Sequence, residues 1–384
     1  MSEQQIVKIP AFSLKRQNLE LRAALRECFL NVVDQSQFIL GNHVSALEKK
    51  IAAWCGVNHG VGVGNGSDAL YLALQALGIT PGDEVITTPF TFFATAGAIS
   101  RVGAKPVFVD IEKTTWNMNP MKLKAAITKG TKAIIPVHLY GCPANMSEIM
   151  LVASTHDLKV VEDSAQALGA KFKEMSVGSW GDAGCVSFFP TKVLGAFGDG
   201  GMVVTNDSEL ASRISRLRLH GSRIKYHHDE IGSNSRLDEL QAAILHLKSE
   251  YSEQWTERRR SIADLYGRLF GEYANQLGIR LPVEPAGTYH VYHQYTIAIA
   301  YRDRLHQYLT DCGIGSAIYY PVPLHLQPVY SSLGYSHGDF PEAEAASRQV
   351  LSLPMFPELT DEEVNVVVAA VVRGCKESLI GMDN

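Results

Sequence analysis

Between about residues 40 and 205, segments with apolar positions at helical spacing alternate with short apolar runs that end in turns, which is the pattern of an α/β unit. Residues 44–54 and 67–77 read as amphipathic helices. Residues 60–64, 84–88, 106–109, 132–137, 159–161, 184–187 and 201–204 read as strands, and the turn Pro81-Gly-Asp83 opens the second of these. Several of the strands are apolar on both faces, which predicts a central sheet covered by helices on each side. Residues 236–270 predict one long helical stretch with charges interleaved through an apolar stripe, joining two domains. Beyond it, 295–300 reads as a strand, 303–312 as a helix, 316–320 as a strand and 340–351 as a helix, which makes a smaller α+β unit. A chain of 384 residues suits two domains, here expected at 1–250 and 251–384, with a loose tail at 381–384.

Composition narrows the function classes. Apolar residues at 46% against 20% charged support a packed globular core and exclude a disordered chain. A net charge of -5 without a dense Lys/Arg block leaves no footprint for nucleic acid, and Glu257-Arg-Arg-Arg260 reads as a solvated helix face. Cys28, Cys55, Cys142, Cys185, Cys312 and Cys375 are scattered without a CxxC, so neither a metal nor an iron–sulfur cluster is expected. His227-His228 and His290-Val-Tyr-His293 also lack a metal-ligand spacing. No run reaches the ~18 apolar residues of a membrane span, and the amino terminus has no apolar leader, so a cytoplasmic protein is expected. Matches to the glycosylation pattern at Asn65, Asn145 and Asn206 are then chance.

Four places carry candidate chemistry. Lys192 lies between an apolar run and a glycine-dense loop, in Ser187-Phe-Phe-Pro-Thr-Lys192 followed by Gly198-Asp-Gly-Gly201. Burial there would lower the pKa of its amine and free it to attack a carbonyl, whereas an ordinary surface lysine would stay charged. Gly62-Val-Gly-Asn-Gly66-Ser67 runs from strand to helix and is either a structural turn or a phosphate cradle; it is G-x-G-x-G and not the dinucleotide fingerprint. Asp163 and Gln166 follow a buried strand. The carboxylate there needs a cation, which a protonated pyridine nitrogen would supply, unless Asp163 simply caps a helix. Phe92 could lie against a flat ring or pack into the core, and Asn234 reads as a helix cap.

Taken in order, Asn65-Gly-Ser67, Thr91-Phe92-Phe-Ala-Thr95, Glu162-Asp163-Ser-Ala-Gln166, Ser187-Phe-Phe-Pro-Thr-Lys192, Gly198-Asp-Gly-Gly201 and Gly232-Ser-Asn234-Ser-Arg-Leu-Asp238 resemble the DegT/DnrJ/EryC1/StrS family of pyridoxal-phosphate sugar aminotransferases over nearly the whole chain. The resemblance implies the type I aminotransferase fold: a large α/β domain with a seven-stranded, mostly parallel sheet, a smaller carboxy-terminal α+β domain, and a homodimer with shared active sites. It implies that Lys192 forms the internal aldimine and moves protons, and that Asp163 pairs with the pyridinium nitrogen. Gln166 would approach the ring hydroxyl and Phe92 would stack on the ring. Gly66, Ser67 and Ser187 would hold the phosphate, with Asn234 reaching it from the neighbouring subunit. Ser67, Ser164 and Phe189 depart from commoner family residues without removing a required group. One branch of the family has His in place of the lysine and dehydrates sugars, and another clusters cysteines; Lys192 and the scattered cysteines argue against both.

Phe189-Pro190 and Gly198-Asp-Gly-Gly201 differ from the His-Pro and Gly-Glu-Gly-Gly of family members that aminate carbon 4, and the chain resembles the enzymes that aminate carbon 3 through Lys225-Tyr-His-His228 and Tyr319-Tyr-Pro-Val-Pro-Leu-His325-Leu-Gln-Pro328. The reading is amino transfer from L-glutamate to a nucleotide-linked keto-sugar by a ping-pong mechanism, with Tyr226, Tyr319 and His325 as candidate substrate contacts. The competing readings are a cofactor-dependent sugar dehydratase or epimerase, and a regulatory protein that keeps the fold.

Overall fold

The computed structural model describes residues 8–380, so the tail expected to be loose at 381–384 lies outside the described residues. Two helices, α1 (Lys15–Glu20) and α2 (Arg22–Gln35), precede the large α/β unit. That unit runs α3 (Asn42–Cys55), β1 (His59–Val63), α4 (Gly66–Ala76), β2 (Glu84–Thr87), α5 (Phe93–Arg101), β3 (Lys105–Phe108), α6 (Pro120–Ala126), β4 (Thr131–Ile134), α7 (Met146–Thr155), β5 (Lys159–Asp163), β6 (Ala183–Ser187), β7 (Gly201–Thr205) and α8 (Ser208–Leu217). The hairpin β8 (Ser222–Ile224) and β9 (His227–His228) follows, then α9 (Glu239–Ser249).

Seven strands form one sheet in the order β1-β7-β6-β5-β4-β2-β3. Strands β6, β5, β4, β2 and β3 run parallel, and β7 is antiparallel to both its neighbours. Alternation along each strand divides the core in two. In β6, Ala183 and Cys185 pack under α4 and α8, while Val186 faces α3 and α9. Every side of the sheet is thereby covered, which is why its strands read as apolar runs instead of alternating ones.

The register brings the carboxyl ends of β1, β5 and β6 to one edge. Gly201 pairs with both Val63 and Ser187, and Asp163 pairs with Cys185. Ligand sites of parallel α/β sheets form at this edge, because the loops that leave the strands there converge.

The second unit consists of α10 (Ser252–Phe270), β10 (Tyr295–Ala298), α11 (Arg302–Asp311), α12 (Pro341–Gln349), β11 (Val350–Leu353) and α13 (Asp361–Ile380). Its core gathers Ile262, Tyr266, Ile297, Leu305, Leu353 and Val367, and Ile9 packs there too through its pairing with Ile314. The break between α9 and α10 separates residues that pack in different cores.

The structure departs from the sequence reading in four places. The stretch 236–270 is two helices broken at Glu250–Tyr251; the Ser249 and Ser252 hydroxyls bond back to the carbonyls of His246 and Lys248, and the two helices serve different cores. Arg259 is no solvated face residue: it is buried and donates to the carbonyls of His293 and Met355. The expected strand 316–320 reduces to one bridge, Ala317 to Ser352. The expected helix 340–351 ends at Gln349, and its apolar end becomes β11, paired with β10. Among the described residues, no helix is long and apolar enough to cross a membrane, and no cluster of His, Cys, Asp and Glu could hold a metal ion.

Candidate active site

A cavity of about 350 Å3 opens at the carboxyl edge of the sheet, within the range of small-molecule sites. Lys192, Asp163, Gln166, Ser187, Gly66, Ser67 and Phe92 all line it, although they come from four separate segments of the chain.

Asp163 ends β5 and is 6% exposed. Its Oδ2 accepts from the Thr95 hydroxyl at 2.7 Å, and its Oδ1 accepts from the Ala165 N–H at 3.2 Å. No helix begins at Asp163, so it caps nothing. Among the described residues no Lys, Arg or His makes an ion pair with it, so a buried carboxylate faces the cavity without a cationic partner. Thr95 has a single hydroxyl proton, and the short bond to the carboxylate takes it. The Thr91 hydroxyl, 3.1 Å away, can then donate to Thr95 and complete a relay.

Gln166 is held at both ends. Its Oε1 accepts from the Tyr140 N–H at 2.6 Å, and its Nε2 donates to the Tyr320 hydroxyl at 3.0 Å. Its amide is thereby oriented with the N–H side toward the cavity.

Lys192 leaves the loop after β6. Burial pushes its amine down to about 8, against the opposing pull of the Asp163 carboxylate. His293 lines the same cavity, with a buried and unpartnered Nδ1. Burial and the neighbouring cations Lys192 and Arg259 hold it well below the ordinary imidazole range, so it is neutral.

Another part of the wall is the start of α4 at Gly66, with Asn65 as its cap, the Asn65 side chain accepting from the Asp68 N–H at 2.8 Å. The N–H groups of Gly66 and Ser67, in the first turn, have no carbonyl within the helix to receive them and suit an anion. Gly66 is required here: a Cβ would lie 2.7 Å from the Cβ of Ser187. That close approach brings the Ser187 hydroxyl against the helix start and makes one anion cradle of the two segments.

Phe92 is 55% exposed, so it is not core packing; its ring lies 6.1 Å from that of Tyr320. These features fit pyridoxal phosphate: an anion cradle, a flat aromatic wall, a carboxylate in want of a cation and an amine of lowered pKa.

Three expected contacts stand outside this cavity. Asn234 is exposed and bridges Leu219, and the cap position of α9 belongs to Asp238, so Asn234 is not a cap. The adjacent Ser235 turns inward, donating to Asp68 and accepting from the Gly64 N–H, which leaves Asn234 facing outward. Tyr226, at the turn of the β8–β9 hairpin, is 81% exposed. His325 is withdrawn as a substrate contact, because its side chain is fully buried between Glu344, at 3.3 Å, and the Phe340 ring. Tyr319 does line the cavity. Sequence reasoning gave no role to Thr95, which bonds Asp163, or to Tyr320 and Gln294, which line the cavity, and it considered His293 only as a metal ligand. Thr91 and Thr95, four apart at the start of α5, were the one available signal for the relay.

Comparison with known proteins agrees with this geometry. The sequence profile of the DegT/DnrJ/EryC1/StrS aminotransferase family matches residues 20–372. A pleiotropic regulatory protein of Geobacillus stearothermophilus is 53% identical, covering 96% of this chain and 98% of its own. A UDP-N-acetyl-3-dehydro-alpha-D-glucosamine 3-aminotransferase of Acidithiobacillus ferrooxidans is 49% identical, covering 95% and 97%. The crystal structure of S. venezuelae DesV in complex with a ketimine intermediate superposes with a TM-score of 0.93 at 42% identity, covering 96% of this chain and 98% of that one. The chain therefore belongs to the DegT/DnrJ/EryC1/StrS aminotransferase family and is a pyridoxal-phosphate-dependent transaminase.

Proposed function

We propose that this chain moves an amino group from L-glutamate to carbon 3 of a nucleotide-linked keto-sugar in two half-reactions, as a cytoplasmic homodimer. The observation that carries the reading is the meeting of Lys192 and Asp163 in one cavity with the anion cradle at Gly66, Ser67 and Ser187. The choice of carbon 3 follows the named activity of the relative at 49% identity.

Pyridoxal phosphate, when bound, supplies an electron-withdrawing ring that stabilises negative charge on the carbon losing its proton. The chain's own residues do the rest. Lys192 Nζ, with its amine near 8, can be neutral and accept that proton, then return it to a neighbouring atom. Asp163, fixed by Thr95, would keep the ring nitrogen protonated. Gln166 would direct its Nε2 at the ring hydroxyl, and Phe92 would cover one ring face while shielding it from water. Gly66, Ser67 and Ser187 would hold the phosphate, and Tyr319 would meet the sugar.

Dimerisation is supported by the apolar side chains Phe29, Leu30 and Val33 exposed on α2, with Phe38 and Ile39 beyond it. In such a dimer, the outward Asn234 and Tyr226 would reach the partner's cleft. Six cysteines standing as free thiols, four of them buried, suit a reducing compartment.

The test is incubation of the holoenzyme with glutamate, following 2-oxoglutarate and the cofactor spectrum. UDP- and dTDP-linked 3-keto and 4-keto sugars are then added, and the product is identified by NMR. A 4-amino product would move the carbon; no product with either nucleotide would favour the regulatory reading that the relative at 53% brings to mind. For the shared site, hybrids of Asn234→Ala and Lys192→Ala subunits should regain activity, and no gain would refute it.

A further inference from the structure

Lys192 lines a second, much smaller cavity besides the cleft, where four segments of the chain converge on a buried polar cluster. Lys248 of α9 is 1% exposed, and its Nζ donates to the Gly195 carbonyl at 2.5 Å. Its Nζ also lies 5.5 and 5.9 Å from the ring centroids of Phe197 and Trp255. Arg259 of α10 is buried beside it and ties the carbonyls of His293 and Met355 together. Glu358 lines the same small space as both cations without forming an ion pair, its charge favours their charged forms against burial, and it accepts from Gln17 of α1 at 3.0 Å. A cavity of about 10 Å3 lies among these groups, and Lys192 forms part of its wall. Three buried polar atoms of its lining residues, Gln17 Oε1, Arg259 Nε and Glu358 Oε2, have no hydrogen-bond partner.

Such an arrangement is expensive for stability alone. A buried ammonium loses its hydration, and an apolar side chain of similar shape would pack as well beside two aromatic rings. What the ammonium does that an apolar group could not is grip a backbone carbonyl three residues past Lys192. The loop it grips is tight, since a Cβ at Gly195 would lie 2.2 Å from the Pro190 carbonyl oxygen. A second side chain of α9 grips the same loop. Gln241 Oε1 accepts from the Phe197 N–H at 2.8 Å, and its Nε2 donates to the Phe197 carbonyl at 3.3 Å. Positions 241 and 248 are seven apart and so lie on one face of the helix.

We propose that Lys248 is a positioning residue: gripping the Gly195 carbonyl from a cradle closed by Arg259 and Glu358, it holds the Lys192 loop against the cleft and couples its placement to the small domain. The proposal rests on the reading of Lys192 as the reactive amine. It gives α9 a function beyond packing, and it accounts for a fully buried lysine close to the half-buried Lys192.

The test is Lys248→Met in the holoenzyme, which keeps the stem and removes the donor. Hydrogen exchange read by mass spectrometry should accelerate in residues 188–198 and not in the sheet. The kcat for amino transfer should fall on the order of 10- to 100-fold, as for a misplaced reacting group. The KM for the keto-sugar should stay within about twofold, because its contacts are intact. Lys248→Gln, which keeps an N–H donor on a shorter stem, should recover part of both effects. If Lys248→Met cannot be isolated folded, Glu358→Gln must itself accelerate exchange in 188–198, since it removes the carboxylate that offsets Lys248. Wild-type exchange and kcat in Lys248→Met, or in Glu358→Gln where that variant stands in, would overturn the proposal. Equal losses in the Met and Gln variants would also overturn it, as they would mark a purely structural role. The exchange measurement needs no substrate, so it stands even if the wild-type enzyme does not aminate a keto-sugar.

Discussion

Thr95→Val tests whether the protein holds Asp163 for a purpose. The substitution replaces the hydroxyl by a methyl of similar shape and removes the 2.7 Å bond to Asp163 Oδ2, leaving the carboxylate with only the 3.2 Å contact from the Ala165 N–H. A hydrogen bond to a charged group contributes about 1.5–3 kcal/mol. If Asp163 faces the ring nitrogen, that amount is lost from cofactor binding, because the carboxylate must now be oriented at the moment of binding. Roughly 10- to 150-fold weaker affinity is expected. The assay is titration of pyridoxal phosphate into cofactor-stripped protein, followed by absorbance, with kcat measured at saturating cofactor. Thr91→Val is the control. It deletes the bond one step back in the relay, between two neutral hydroxyls 3.1 Å apart, and should cost only about 0.5–1.5 kcal/mol. Wild-type affinity in Thr95→Val, or a larger loss in Thr91→Val than in Thr95→Val, would refute the assignment of Asp163.

Gly66→Ala should abolish tight cofactor binding while the fold survives with a loss of about 1–3 kcal/mol, the cost of overpacking, since its Cβ meets Ser187 at 2.7 Å; thermal melts with and without cofactor check it. Glu162→Ala should fail to fold or melt far below wild type. Its carboxylate accepts from the N–H groups of Gly178, Trp180 and Gly181 and from His138 Nε2, and each stranded donor costs about 1–3 kcal/mol; circular dichroism reads the outcome. Lys192, with its amine lowered to about 8 by burial, should lose its proton as pH rises through 8 and not above 10. In the cofactor-free protein its acylation by an amine-reactive reagent, followed by peptide mapping, should therefore rise with a midpoint near 8. A midpoint at the ordinary lysine value would mean that the amine is solvated.

The chain order of motifs carried most of the site. Lys192, Asp163, Gln166, Phe92, Gly66, Ser67 and Ser187 each stand at a strand end or loop, where local pattern is readable, and the parallel sheet brings those ends to one edge. The alternation of apolar runs and helical segments determined the α/β class for a similar reason: a sheet covered on both faces leaves a mark on every strand.

What the sequence could not decide depends on contacts between distant segments. Neither Arg259 in a basic cluster nor Lys248 in an amphipathic helix looks buried, because the carbonyls they grip come from residues up to 96 and 53 positions away. His325 follows a proline-rich loop that suggests a substrate contact, yet Glu344 and Phe340 of a later helix enclose it. The break after Ser249 and the strand at Val350–Leu353 are set by which core each segment joins, and local propensity is overridden there by packing. Local chemistry and the order of motifs therefore pointed to the groups that meet in the cavity, whereas the supports that hold them were decided only when the chain closed on itself, since burial and hydrogen-bond partners are properties of the folded whole.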